Sequence, residues 1–143
     1  MSLLQETLER GEFAITAEMA PPKGTDLSHL LECAKKCVGR VHATNVTDFQ
    51  SAVMRATSLA TCKMLKDIGL EPVIQMTGRD RNRIAIEGEM LSAGVFGIDN
   101  LLALTGDHTC VGDHPQAKGV FDLDSVSILS TATQLNSGVD SVG

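Results

Sequence analysis

The 143-residue sequence predicts an α/β chain laid out as the first four βα units of a (β/α)8 TIM barrel. Three observations carry that expectation. Apolar segments of strand length alternate with segments whose apolar residues recur at helical spacing. The strands are mostly apolar, as expected when helices and neighbouring elements cover both faces. The polar residues at the strand tips, Glu18, Thr47, Thr77 and Asp107, are separated by 29, 30 and 30 residues, about the length of one βα unit. So regular a beat favours a barrel over a doubly wound sheet. A doubly wound sheet would carry a nucleotide loop, and neither G-x-G-x-x-G nor G-x-x-x-x-G-K-[ST] occurs.

The elements follow in order. FAITAEMA (13–20) reads as the first strand, stopped by Pro21 and Pro22. Leu27, Leu30, Leu31, Ala34 and Val38 then recur at helical spacing, with Thr25 or Asp26 as cap and Gly39 near the end. VHATNVTD (41–48) is the second strand. A helix is predicted from Met54 to Asp67, stopped near Gly69. EPVIQMT (71–77) is the third strand, with Pro72 near its start, where it does least harm. Asp80 is the expected cap of the next helix, which puts Ile86, Met90 and Ala93 on one face. LLALTGD (101–107) is the fourth strand. Asp124 or Ser125 opens a last helix that runs to about Leu135 and ends near Gly138.

Composition excludes several classes. Hydrophobic residues at 43% and charged residues at 21% give the balance of a globular domain. A net charge of -6 and 3% aromatics, with no Trp or Tyr, argue against a nucleic-acid partner. No apolar run reaches membrane-spanning length, so no membrane span is expected. The N-terminus lacks a signal-peptide core. Cys33, Cys37, Cys62 and Cys110 contain no C-x-x-C pair, which predicts reduced thiols in a cytoplasmic protein. His29, Cys33 and Cys37 share one helix face, but a fourth ligand is missing, so no metal is expected. An eight-stranded barrel takes about 250 residues. Residues 1–143 are therefore expected to be the N-terminal half of a longer domain, or to complete their core as a homo-oligomer or with a partner chain.

Function on a barrel sits at the C-terminal ends of the strands. Glu18, Asn45, Thr47, Asp48, Gln75, Thr77, Thr105 and Asp107 are the polar residues there. Glu18 lies among Ala17, Met19, Ala20 and Pro21. Apolar surroundings would keep a carboxyl protonated near neutrality and make it a general acid; an exposed strand-end glutamate is the alternative. For Asp107, after Gly106, turn chemistry is the favoured reading from residue type alone. GRDRNR (78–83) holds three arginines that could grip a phosphate, but a solvated helix start with Asp80 as cap and arginine partner is the favoured reading. His114 and Lys118 fall in the loop after strand four, either reaching the site or lying on the surface.

Taken together, AEMAPPKGTD, NVTDFQ, EPVIQMTGRDRNR, LLALTGDH and GDHPQAKGVFDLDS resemble the flavin-dependent methylenetetrahydrofolate reductases, in particular a bacterial branch. The resemblance spans nearly the whole chain, with the blocks in the family's order. It implies a barrel that holds FAD, or FMN, at the strand ends and reduces 5,10-methylenetetrahydrofolate to 5-methyltetrahydrofolate with NAD(P)H. The implied catalytic residues are Glu18, as proton donor to the folate nitrogen N10, and Asp107, as a charge beside the cationic intermediate. The implied flavin contacts are Thr47, Gln75, Thr105, Gly106, Asp107, Phe121 and Asp122. Gln75 stands where the family often has histidine, Thr105 where it often has arginine, and Phe121 at an aromatic position. Two other readings remain: a non-catalytic half-barrel subunit, and a folate-binding methyltransferase-type barrel without flavin.

Overall fold

The structure, a computed structural model, describes residues 1–142. Four parallel strands form one sheet: β1 (Thr16–Met19), β2 (Ala43–Val46), β3 (Pro72–Thr77) and β4 (Asn100–Leu104). Their spatial order is β1-β2-β3-β4, identical to their order in sequence. Each strand is followed by a helix: α2 (Ser28–Lys35), α3 (Ser58–Asp67), α4 (Arg83–Val95) and α5 (Ser125–Asn136), α1 being the N-terminal helix Leu3–Glu9. A doubly wound sheet reverses its strand order at a switch point. This one never reverses, so the four βα units wind as a barrel segment does.

Strand pleating separates the two faces of the sheet. Met19, Val46, Ile74 and Met76 point toward the helices and join Ala34, Cys62, Leu65, Ile86, Ala93 and Ile128 in one core. Each fully buried aliphatic side chain in it is worth about 1.5–3 kcal/mol. The alternate positions point the other way, and Thr16, Glu18 and Leu102 are exposed there while Asn45 and Gln75 are half-buried. The expectation that both faces are covered is therefore corrected: helices cover only one. The sheet reads as apolar because short strands of four to six residues carry few inward positions.

The N-terminal segment, for which the sequence predicts no element, forms α1. Ser2 caps it by accepting from the Gln5 N–H at 3.1 Å. Glu71, just before β3, accepts from the Leu3 and Leu4 N–H groups at 2.8 and 3.2 Å. The Asn100 amide donates to the same carboxylate at 2.9 Å, and Ser2 Oγ donates to Asn100 at 2.7 Å. Helix α1 is thereby tied to the N-terminal ends of β3 and β4, away from the polar strand tips.

Several boundaries shift. Strand β1 is shorter than 13–20, and Phe13 and Ile15 stay exposed. Helix α2 starts after Leu27, with no side-chain cap; Asp26 instead accepts from the Ser28 N–H and hydroxyl. Helix α3 starts at Ser58 rather than Met54, because residues 50–52 form a 3-10 turn and Val53 is extended. Helix α4 is capped by Asn82, which accepts from the Ala85 N–H, because Asp80 is engaged by Arg79. Asp124 caps α5 as expected and forms a reciprocal capping box with Ser127. Among the described residues no helix is long and apolar enough to cross a membrane.

Candidate functional site

The C-terminal strand ends enclose a hollow of about 360 Å³. Its wall includes Glu18 from β1, Thr47 and Asp48 just after β2, Gln75 and Thr77 from β3, and Gly106 and Asp107 after β4. Four strands whose tips recur at a near-constant interval thus deliver their tip residues to one place.

Glu18 lies on the open face of β1, opposite Asn45, and is exposed. Ala17 and Met19 alternate to the other face, and Met19 enters the core. The apolar surroundings expected for Glu18 are therefore absent, because neighbours in a strand's sequence are not neighbours in its environment. Thr47 is buried, and among the described residues its hydroxyl has no hydrogen-bond partner. Leaving such a group unpaired costs about 1–3 kcal/mol, so a buried orphan on a cavity wall marks a place for a ligand or water. Gln75 is half-buried; its carbonyl accepts from Ser58 Oγ at 2.9 Å, while its side-chain amide has no partner among the described residues.

Gly106 explains how Asp107 arrives. Its φ is +93°, and a Cβ there would lie 2.3 Å from Thr77 Cγ2. Only glycine lets the chain leaving β4 run against the tip of β3. Asp107 is exposed on the rim, and among the described residues its carboxylate has no hydrogen bond or ion pair.

Three residues named by resemblance do not line the hollow. Thr105 Oγ1 accepts from the Ser125 N–H at 3.1 Å and ties the loop to the start of α5. Asp122 accepts from the Arg83 N–H at 2.9 Å and from its guanidinium at 2.9 and 3.0 Å. Those bonds hold its carboxyl down at about 2. Phe121 sits at φ 45° and stacks on His108, with ring centroids 6.3 Å apart.

The arginine-rich stretch pairs Asp80 with an arginine as expected and starts a helix at the half-exposed Arg83, but Arg79 and Arg81 are buried rather than solvated. Arg79 is 2% exposed and is paired with Asp80 at 2.7 Å. Arg81 is largely buried and donates to Asp48 at 2.7 and 3.1 Å, with Phe49 beneath its guanidinium at 5.4 Å. Arg83 holds Asp122. All three positive charges are committed to carboxylates of the fold, which leaves the stretch a brace rather than a phosphate grip. Asp48, which the sequence marks only as one polar tip among several, also accepts from the Thr77 N–H at 2.9 Å. An acid directly after one strand and an arginine four residues after the next was the available signal.

A second hollow, of about 260 Å³, lies past Phe49 and Arg79, with Met54, Asp113 and His114 in its wall. Asp113 accepts from Lys23 at 2.6 Å and from the Met54 N–H at 3.0 Å, and it lies 2.9 Å from His114 Nδ1. His114 therefore lines this neighbouring hollow, and Lys118 is exposed and lines neither.

The arrangement has a clear chemical character. A carboxyl, a hydroxyl, a primary amide and a second carboxylate face one hollow with no side-chain partners among the described residues, while Arg79, Arg81 and Arg83 are each paired with a carboxylate. Such a site suits a polar, planar ligand that brings its own donors and acceptors. A search of curated proteins returned no match. The family model for methylenetetrahydrofolate reductase matches residues 3–139, which takes in all four strands, their helices and every wall residue of the hollow. On that match, with a fold of four parallel βα units that agrees with it, the chain belongs to the methylenetetrahydrofolate reductase family.

Proposed function

We propose that this chain supplies the first half of the active site of a flavin-dependent oxidoreductase that reduces 5,10-methylenetetrahydrofolate to 5-methyltetrahydrofolate with NAD(P)H. The observation that carries the reading is the convergence of Glu18, Thr47, Gln75 and Asp107 on one hollow without internal partners. In this reading residues 1–143 belong to a longer barrel domain. The open inner face and the outer edges of β1 and β4 are completed by further strands, from the same chain or from a partner or second copy.

The residues present fit a flavin. The buried, orphaned Thr47 hydroxyl and the Gln75 amide are neutral groups suited to a ring edge of alternating donors and acceptors, and Gly106 keeps a side chain out of that space. Thr47, Gln75, Gly106 and Asp107 would hold the cofactor, FAD or FMN. Phe121 would add its exposed ring from the rim, and Thr105 and Asp122 would fix the loop that carries it. A bound flavin supplies hydride transfer between the nicotinamide and the folate.

The remaining chemistry falls to the acids. Ring opening of the folate substrate requires a proton on N10 and leaves a cationic iminium. Glu18, unpaired on the open face, is the proton donor. Asp107 places a fixed negative charge where that cation develops. Purified full-length protein should be yellow, bleach with NAD(P)H, and recover its colour with methylenetetrahydrofolate. A colourless protein that flavin cannot reconstitute contradicts the reading. Flavin binding without recovery by folate removes the substrate assignment.

A further inference from the structure

We propose that Arg79 is the positioning residue of this site, a buried clamp that fixes where Asp107 stands relative to the β2 and β3 tips; its kinetic role rests on the reaction proposed above. Arg79 is almost fully buried and lies directly beneath the hollow. Its guanidinium forms a two-point pair with Asp80, Nε donating to Oδ1 at 2.9 Å and Nη2 to Oδ2 at 2.7 Å. That pair neutralises and orients the group, and its remaining donors reach across the rim. Nη1 donates to the Asp107 carbonyl at 3.0 Å, and Nη2 donates to the Phe49 carbonyl at 3.2 Å. One side chain thus ties the segments that follow β2 and β4 to the segment that follows β3.

The backbone of the same residue repeats the arrangement. The Arg79 N–H donates to the Thr105 carbonyl at 3.0 Å, and its carbonyl accepts from the Val120 N–H at 2.7 Å. Gly106 is what allows the close approach, since a Cβ there would come within 3.1 Å of Arg79 Cβ. The Asp107 carboxylate, by contrast, has no hydrogen bond or ion pair among the described residues. Its position is therefore inherited from its carbonyl, and that carbonyl is held by Arg79. The fork geometry is what matters: a lysine keeps the charge, but its three donors on one nitrogen cannot make the planar two-point pair with Asp80 together with the bonds to two carbonyls.

The test uses the full-length protein and the variant Arg79→Lys, with two readouts. The first is folate reduction: kcat should fall by about 10²-fold, as a small misplacement near the reacting atoms does, while KM and flavin content stay close to the parent's. The second is hydrogen exchange, independent of activity: the peptide spanning 104–112 should exchange about tenfold faster, while peptides within α4 keep the parent's rate. An unchanged kcat or an unchanged exchange rate overturns the proposal. A fall in kcat matched by equal loss of flavin content and thermal stability also overturns it, because that is the signature of a merely structural residue. If Arg79→Lys does not fold, Asp80→Asn, which leaves Arg79 in place but loosens its anchor, should show the same pattern at smaller size, and parent-like behaviour overturns the proposal. If the parent itself does not reduce methylenetetrahydrofolate but the exchange effect holds, the reaction assignment fails and the clamp stands.

Discussion

The two faces of the sheet follow opposite rules. On the helix side, Val46, Ile74 and Met76 join Leu65, Ile86 and Ile128 in one buried hydrophobic core. On the other side, the Glu18 and Gln75 side chains, and just past the strand ends the Thr47 hydroxyl, have no hydrogen-bond partner among the described residues. One residue of shift along a strand moves a side chain from one regime to the other. The contrast teaches where stability and function are kept: the covered face holds the fold together, and the open face keeps reactive groups unsatisfied for a ligand.

Substitutions should separate the two faces cleanly. The largest effect is expected from Glu18→Gln, which removes the transferable proton while preserving shape. Folate reduction in the full-length enzyme should fall by about 10²–10⁴-fold, while folding stability stays within about 0.5 kcal/mol of the parent. A stability loss comparable to the rate loss would erase the distinction. The mirror-image experiment is Ile74→Ala on the covered face, a 1% exposed position. Denaturant unfolding should show a loss of about 2–5 kcal/mol, and the fraction that remains folded should keep the parent's flavin spectrum.

A smaller effect tests the lower end of the same sheet. Partial burial pushes the Glu71 carboxyl up, but hydrogen bonds from Asn100, Leu3, Leu4 and Ser2 together outweigh it and hold it below its usual value of 4.5. A carboxylate with a depressed pKa in the folded state adds stability above its ordinary pKa and loses it as pH falls through the depressed value. Glu71→Gln should therefore destabilise the protein at pH 7 by about 1 kcal/mol or less. The gap to the parent should close as the pH drops below 4.5. Thermal melts across pH 3 to 7 check the direction. A gap that widens in acid would show that Glu71 does not anchor α1 as a carboxylate.

The comparison also explains what the sequence made legible. The constant interval from Glu18 to Thr47, Thr77 and Asp107 is a property of a repeating βα unit, so it survives translation into residues, and all four line the same hollow. Helix α1 was invisible because its anchors, Glu71 and Asn100, lie 67 to 98 residues away in the chain. The surroundings of Glu18 are not legible in sequence because its linear neighbours Ala17 and Met19 lie on the opposite face of the strand. Arg79 and Arg81 looked solvated because a charged stretch carries no local sign of burial, and only the folded rim brings Asp48, Phe49 and Asp107 to them. Asn82 rather than Asp80 caps α4 for the same reason: Asp80 is held by Arg79, and the burial of Arg79 comes from the folded rim.

The central claim is that the open face is chemical rather than merely uncovered, and Asp107 tests it most directly. Asp107→Asn keeps size and turn-forming ability but removes the charge, so the Gly106 approach and the bond from Arg79 to the main chain remain possible. Stopped-flow measurement of the two half-reactions in the full-length protein should show near-parental flavin content, with reoxidation by methylenetetrahydrofolate slowed by about 10²–10³-fold. Folate reoxidation as fast as the parent's would return Asp107 to the role of a turn residue and contradict the account.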